Sequence, residues 1–290
     1  MTEKQKTIAK EIIFAGTGLH TGNLTTVKLK PSPPNSGIKF VRTDIDNYVI
    51  PLSYENIKGI LRGTTIGIDK VLVYTVEHLL AVINVFGIDN LTIELNNNEP
   101  PVFDGSAKFF VEVFLEAGIL QQNAPKDYIY IKEPVVYTYT NGNKFTEIKA
   151  YPSNELKIDC TIEYDHPLVN KQQINLVITQ ESFIKEIASA RTYCFDFEIE
   201  ILKKKGLAKG GNLQNTIIIG IDKIYNNEEK LRYENEFVRH KILDLLGDLY
   251  ILGKSLKAEI HAYRCGHQHN INFVKKIVEQ IGGANVRIKS

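Results

Sequence analysis

Four side chains able to bind a metal or move a proton recur at every fourth position in one stretch of the chain: Glu236, His240, Asp244 and Asp248. On an α-helix this spacing puts them on one face, about one turn apart. Most residues around them are apolar, among them Val238, Ile242, Leu243, Leu245, Leu246 and Leu249. A helix so apolar is expected to be buried. Buried carboxylates are costly unless they are paired or bound to a cation. His240 and Asp244 therefore offer a divalent ion one imidazole and one carboxylate, donors that suit zinc, and a catalytic zinc site needs a third protein ligand and an open position. The same spacing also describes a solvated helix face, so the motif draws its weight from its apolar setting.

Further groups could complete such a site. Glu77 immediately precedes His78, and a carboxylate beside a metal ligand can take a proton from a metal-activated water. Arg264-Cys-Gly-His-Gln-His269 puts two histidines just after a strand pattern, and a histidine on such a loop can hold or supply a proton. Asp248, one turn beyond Asp244, could orient it. The glycine-rich run Gly206–Asn212 follows three lysines; its backbone N–H groups suit a phosphate, although it matches no nucleotide-binding signature.

These residues need elements to hold them. Thr75–Phe86 reads as a helix capped by Thr75, with Val76, Leu79, Leu80, Ile83 and Phe86 on one face. Gly87 ends it and Leu91–Leu95 reads as a strand. Phe103–Ala117 reads as a second helix, Ser182–Ala188 as another, and Asn235–Leu252 as a long one ended by Gly253. Strand patterns occur at Thr25–Lys30, Ile38–Arg42, Tyr128–Lys132, Val135–Thr140, Thr146–Ala150, Leu156–Glu163 and Leu256–Ala262. Two correspondences suggest an internal duplication. His78-Leu-Leu, six residues, Gly87 and a strand parallels Asp244-Leu-Leu, six residues, Gly253 and a strand. VKLKPS at Val27–Ser32 parallels IKAYPS at Ile148–Ser153. The expected fold is α+β: two similar domains, each a β-sheet with helices, the helices packed between the two sheets. The first domain is expected over residues 1–120, a polar linker over 121–127 and the second domain over 128–290. The duplication puts His78 at the position equivalent to Asp244, which makes His78 the natural third ligand at an interdomain pocket.

Bulk properties narrow the function. Hydrophobic residues make up 43% of the 290-residue chain and the formal net charge is +1. That gives no basic excess to suggest a nucleic-acid partner. No segment reaches the roughly 18 apolar residues of a membrane span, and the charged N-terminus has no secretory signal pattern. Cys160, Cys194 and Cys265 are odd in number and widely spaced, which fits buried thiols in a reducing, cytoplasmic setting.

Several motifs, in order, resemble the UDP-3-O-acyl-N-acetylglucosamine deacetylase family: GTGLHTG at Gly16–Gly22, TVEH at Thr75–His78, DGS at Asp104–Ser106, ART at Ala190–Thr192, Gly210-Gly211, VRHKILD at Val238–Asp244 followed by Gly247-Asp248, and Gly266-His267. The resemblance runs from about Glu11 to beyond Asn270. It implies hydrolysis of the acetamide of a UDP-linked acylated glucosamine in lipid A assembly. It implies Zn2+ held by His78, His240 and Asp244; by ligand type alone, two histidines and one aspartate would accept Fe2+ as well. Glu77 becomes the general base, His267 the acid or stabilising cation, Asp248 its orienting partner and Thr192 a donor to the oxyanion. Lys241, Tyr193, Glu198 and Arg264 become substrate contacts, and His20 lies near the site. The acyl chain is expected along an inserted segment, with Leu176–Ile187 as candidate. The chain departs from the family at Asn212, where serine is common, and at His269, where an apolar residue is common. A monomer with at most transient membrane contact and no appended second enzyme is expected. The alternatives are a zinc amidohydrolase acting on another N-acyl sugar nucleotide, or a non-catalytic UDP-sugar or lipid-binding protein.

Overall fold

The computed structural model describes residues 3–228 and 230–282. The ends of the expected domains at residues 1 and 290 lie outside them. The first half contains β1 (Lys4–Ile8), β2 (Ile12–Thr17), β3 (Leu24–Pro31), β4 (Ile38–Arg42), β5 (Tyr48–Pro51), β6 (Ile57–Gly59), β7 (Thr65–Ile68), β8 (Val71–Val73), α1 (Glu77–Phe86), β9 (Leu91–Leu95), α2 (Lys108–Ala117) and β10 (Ile119–Pro125). The second half contains β11 (Ile129–Tyr130), β12 (Val135–Asn141), β13 (Lys144–Pro152), β14 (Leu156–Glu163), β15 (Lys171–Val177), α3 (Gln180–Glu186), β16 (Tyr193–Phe195), α4 (Ile199–Lys204), β17 (Ile217–Ile219), β18 (Ile224–Tyr225), α5 (Glu236–Leu249), β19 (Leu256–Tyr263) and α6 (His267–Gln280). The architecture is the expected α+β class, with mixed sheets and helices.

The two large sheets have the same plan. One runs β2-β3-β9-β4-β5 and the other β12-β13-β19-β14-β15, with β11 added beside β19. In each, the fourth strand of the order runs parallel to the central strand and the remaining pairs of that order are antiparallel. Each half also carries a small three-stranded sheet, β6-β7-β8 in one and β16-β17-β18 in the other. Period-two patterns send Thr25, Val27 and Leu29 of β3, and Ala258, Ile260 and Ala262 of β19, to buried positions.

Two helices are buried on all sides. Every residue of α1 except Val85, and every residue of α5 except Arg239 and Lys241, is buried. A helix covered all round must lie inside the molecule, and side chains of α1, α5 and both sheets share one continuous core. The helices cross at Gly247, where an added Cβ would sit 2.0 Å from the Glu77 carbonyl oxygen. Asn84 bridges the same pair by donating to the Leu246 carbonyl at 3.0 Å. Gly247→Ala is therefore expected to destabilise the protein by on the order of 3 kcal/mol, because a rigid backbone contact cannot absorb the methyl. A urea midpoint equal to that of the wild type would refute this account of the crossing.

Several expectations need correction. Residues 121–125 of the expected linker are not irregular: β10 covers Ile119–Pro125 and pairs antiparallel with β1, so the chain's first strand is tied to the segment between the halves. Its backbone ladder overrides a polar sequence, and Pro125, which lacks an N–H, sits at the ladder's end. Thr75 does not cap α1. It takes a left-handed backbone (φ 54°) and gives its hydroxyl to Glu99 at 2.7 Å, so α1 starts without a side-chain cap. His267 is not on a loop but is the first residue of α6. Within Leu176–Ile187, Phe183 and Ile187 are fully buried in the core, while Val177 is exposed and Ile178 lines a surface cavity. α2 begins at Lys108, after a turn in which both Phe103 (φ 49°) and Gly105 (φ 83°) have positive φ.

Candidate active site

His78, His240 and Asp244 meet where α1 passes α5. His78 is the second residue of α1, while His240 and Asp244 lie one turn apart on α5. Asp244 Oδ1 lies 3.4 Å from His240 Nε2 and 3.6 Å from His78 Nε2. The two rings stand nearly perpendicular, at 83°. All three residues are buried, and one ligand atom from each falls within 4.8 Å of the others.

The donor set passes a direct test of fit. Asp244 Oδ1 is buried and has no hydrogen-bond partner among the described residues, although a buried carboxylate oxygen needs one. Its other oxygen is occupied by Lys241 Nζ at 2.8 Å. His240 donates from Nδ1 to the Ala190 carbonyl at 3.0 Å, which turns the lone pair on Nε2 toward Asp244 and fixes the ring as an outer partner does for a metal ligand. Burial drives His240 down to about 3, keeping the imidazole neutral. Burial opposes the charge on Asp244, but Lys241, with His267, outweighs it and holds its carboxyl well below the usual range. Two imidazoles facing an unpartnered carboxylate oxygen suit a divalent transition metal such as zinc or iron(II).

A second network adjoins this cluster. Glu77, the first residue of α1, accepts the Thr64 backbone N–H on Oε2 at 2.9 Å. His267 Nε2 lies 3.8 Å from Glu77 Oε1 and 3.8 Å from Asp244 Oδ2. His267 Nδ1 meets Asp248 Oδ2 at 2.9 Å. Asp248, wholly buried, also accepts from Asn270 Nδ2 at 2.8 Å and from the Thr64 hydroxyl at 2.5 Å. Burial pushes the Glu77 carboxyl up, against the pull of His267 and His78. Burial alone would lower His267, but Asp248, Asp244 and Glu77 together raise it to about 10. The arrangement therefore has a carboxylate whose proton affinity is increased, beside an imidazole held in its protonated form.

This constellation lines a cavity of about 270 Å³ that includes Thr192, Tyr193 and Lys241. A groove of about 820 Å³ adjoins it and shares Tyr164, Cys265, Gln268 and His269 with it.

The sequence model of UDP-3-O-acyl N-acetylglycosamine deacetylases matches residues 5–279. The chain belongs to this family. Among similar proteins, the UDP-3-O-acyl-N-acetylglucosamine deacetylases of Saccharophagus degradans and Teredinibacter turnerae are 43% and 42% identical to it, over 96% of this chain and 91% of theirs. The bifunctional enzyme LpxC/FabZ of Chlorobaculum tepidum is 40% identical over 94% of this chain, and the match covers 64% of that longer protein.

Within this deacetylase chain, most of the residues singled out in the sequence converge. Glu77, His78, Thr192, Tyr193, His240, Lys241, Asp244 and His267 line the one cavity, and Asp248 reaches it through His267. Tyr193 packs on Phe237 and bonds Tyr164 through the two hydroxyls, with Lys241 Nζ 5.3 Å from its ring centroid. Glu198 and Arg264 face the adjoining groove instead. Glu198 pairs with Arg62 of the first half and accepts the Phe195 N–H. His20 stands apart: its ring contacts the Arg62 carbonyl at 3.1 Å and the Ala208 N–H at 3.4 Å, and it lines a different small cavity. Of the two departures, His269 meets Tyr137 at 3.1 Å where the cavity joins the groove and is not among the grouped ligand atoms, and Asn212 closes its own turn by accepting the Gln214 N–H. The three cysteines are buried and free.

Thr64, Asn270 and the Ala190 carbonyl escaped the sequence reading. The carbonyl has no side-chain signature. Asn270, three residues after His267, becomes legible once α6 is known to be a helix. Ala190 is itself anchored through Arg191, which is fully buried and makes two side-chain bonds to Glu236 at the start of α5, at 2.8 and 3.0 Å.

Proposed function

We propose that the protein hydrolyses the acetamide of UDP-3-O-acyl-N-acetylglucosamine, releasing acetate and the free amine, in lipid A biosynthesis. The single observation that carries this reading is the unpartnered Asp244 oxygen facing two imidazoles, with Glu77 and His267 against it, in a chain of this family. A divalent cation held by His78, His240 and Asp244, zinc or iron(II), would polarise the amide carbonyl and acidify the attacking water.

The chain's own groups then move the protons. Glu77 takes one from the attacking water at Oε1, while Oε2 stays on the Thr64 N–H. The Thr192 hydroxyl donates to the oxygen that gains charge, a large part of the barrier in acyl transfer. His267 keeps Nδ1 on Asp248 and presents Nε2–H, which stabilises that charge and protonates the departing amine. Lys241, held by Asp244, and the tyrosine pair hold the sugar. Glu198 and Arg264 serve the nucleotide side in the adjoining groove. The protein works as a monomer in the cytoplasm. Among the described residues no helix is long and apolar enough to cross a membrane. The direct test is mass-spectrometric detection of acetate and free amine from the UDP-linked substrate. Activity confined to other acetamides would replace the substrate, and saturable binding without turnover in metal-loaded protein would remove the enzyme reading.

The pH dependence follows from the same network. His267 must be protonated, so activity is lost as pH rises through its pKa. The alkaline limb should fall between about 6.5, the ordinary histidine value, and the value of about 10 set by its three acidic neighbours. A cation on Asp244 offsets one of those neighbours and moves the limb toward the lower end. In His267→Gln the residual activity should lose this limb. A limb that persists unchanged in that variant would assign it to another group.

A further inference from the structure

We propose that Thr64 is a positioning residue for the reaction, one that locks the Glu77 carboxylate and the Asp248–His267 pair into a single geometry. The inference rests on the deacetylase reading for its effect on rate, and on geometry alone for its effect on His267.

Thr64 is wholly buried and directly precedes β7 in the small sheet of the first half. It spends each of its polar groups on this machinery. Its N–H donates to Glu77 Oε2 at 2.9 Å, and its hydroxyl donates to Asp248 Oδ1 at 2.5 Å. Its carbonyl accepts the N–H of Val76, the residue just before α1, at 3.2 Å. One residue thus bonds two carboxylates from helices of different halves. The turn before it brings the backbone close: Arg62 is left-handed (φ 63°), and a Cβ at Gly63 would lie 3.1 Å from Glu77 Oε1. This contact supplies a reason for the small sheet, whose first hairpin, β6-β7, carries the bridge.

The consequence for His267 follows from counting donors. Asp248 Oδ2 already takes His267 Nδ1 and Asn270 Nδ2, and Thr64 is the donor that fixes Oδ1. Without it a buried carboxylate oxygen is left unpaired, and the group turns to recover a partner. The His267 ring follows, because its Nδ1 bond is to the same carboxylate. Nε2 then leaves the position from which it faces Glu77 Oε1.

Thr64→Val isolates the effect, because it removes the hydroxyl, keeps the shape and leaves the backbone N–H on Glu77. Thr64→Ser keeps the hydroxyl. In metal-loaded protein, kcat of Thr64→Val should fall about 10- to 100-fold with KM and metal content within about twofold, while Thr64→Ser stays within about fivefold of wild type. In parallel, proton and nitrogen spectra of protein carrying labelled histidine report the His267 Nδ1–H signal, identified by its loss in His267→Gln. This signal should shift or vanish in Thr64→Val and persist in Thr64→Ser. Should Thr64→Val not fold, Thr64→Ala is read in the same way. Equal losses in the valine and serine variants, or a Thr64→Val protein with wild-type kcat and an unmoved His267 signal, would overturn the proposal. If folded, metal-loaded wild-type protein were inert on the acetamide, the deacetylase reading would fail by itself; the His267 signal would still decide the role of Thr64.

Discussion

Replacing His240 by alanine is expected to empty the metal site and abolish activity while the protein stays folded. His240 is one of three ligands, and its Nε2 is fixed toward Asp244 by the Ala190 carbonyl behind it. Its removal leaves His78 and Asp244, too few ligands for a catalytic zinc site. Losing an outer-shell partner typically costs 10- to 100-fold, so losing a direct ligand should lower both metal affinity and kcat/KM by more than about 100-fold. Metal analysis of purified protein should give about one equivalent in wild type and little in the variant. Chelation of the wild type should reproduce the loss, and adding back zinc or iron(II) should restore activity to the wild type alone. Full metal content in His240→Ala would sink the assignment of this ligand. Sustained hydrolysis by metal-free wild type would sink the metal mechanism.

Glu77→Gln should separate chemistry from binding. The amide keeps the size of the carboxyl and can still accept the Thr64 N–H through its oxygen, but it cannot take a proton from water. Loss of a general base costs about 10²- to 10⁴-fold in kcat, and here metal content and KM should remain near wild type. Stability should move the other way. Burial disfavours the Glu77 charge, so a neutral isostere removes a desolvation cost, and the urea midpoint should stay level or rise. Near-normal kcat in this variant would strip Glu77 of its role. A collapse in stability would show that its charge holds the fold together.

Much of this site was legible in the chain itself, because helical periodicity is local. The spacing of His240, Asp244 and Asp248 put them on one face, and the apolar residues around them indicated a buried helix whose carboxylates need partners; α5 is that helix. Glu77 and His78 adjoin in sequence, so finding one finds the other. Strands such as Leu91–Leu95 and Leu156–Glu163 followed from their patterns to the residue. Local pattern misled where a backbone ladder overrode polarity, as at β10, and where a turn delayed a helix, as with the positive-φ residues Phe103 and Gly105 before α2. Only the tertiary structure decided which distant groups meet. Thr64 and Asp248 are 184 residues apart, and nothing in the sequence near either one names the other. His20 sits in a motif full of chemistry, yet backbone contacts hold its ring outside the cavity. Of the apolar residues in Leu176–Ile187, packing sent Phe183 and Ile187 to the core and left Val177 exposed. The physical reason is common to these cases. Residue spacing fixes which side chains share a face of one element, because local geometry repeats along the chain. Which faces come together depends on how close two elements can approach, and here that depends on one missing Cβ, at Gly247 against Glu77.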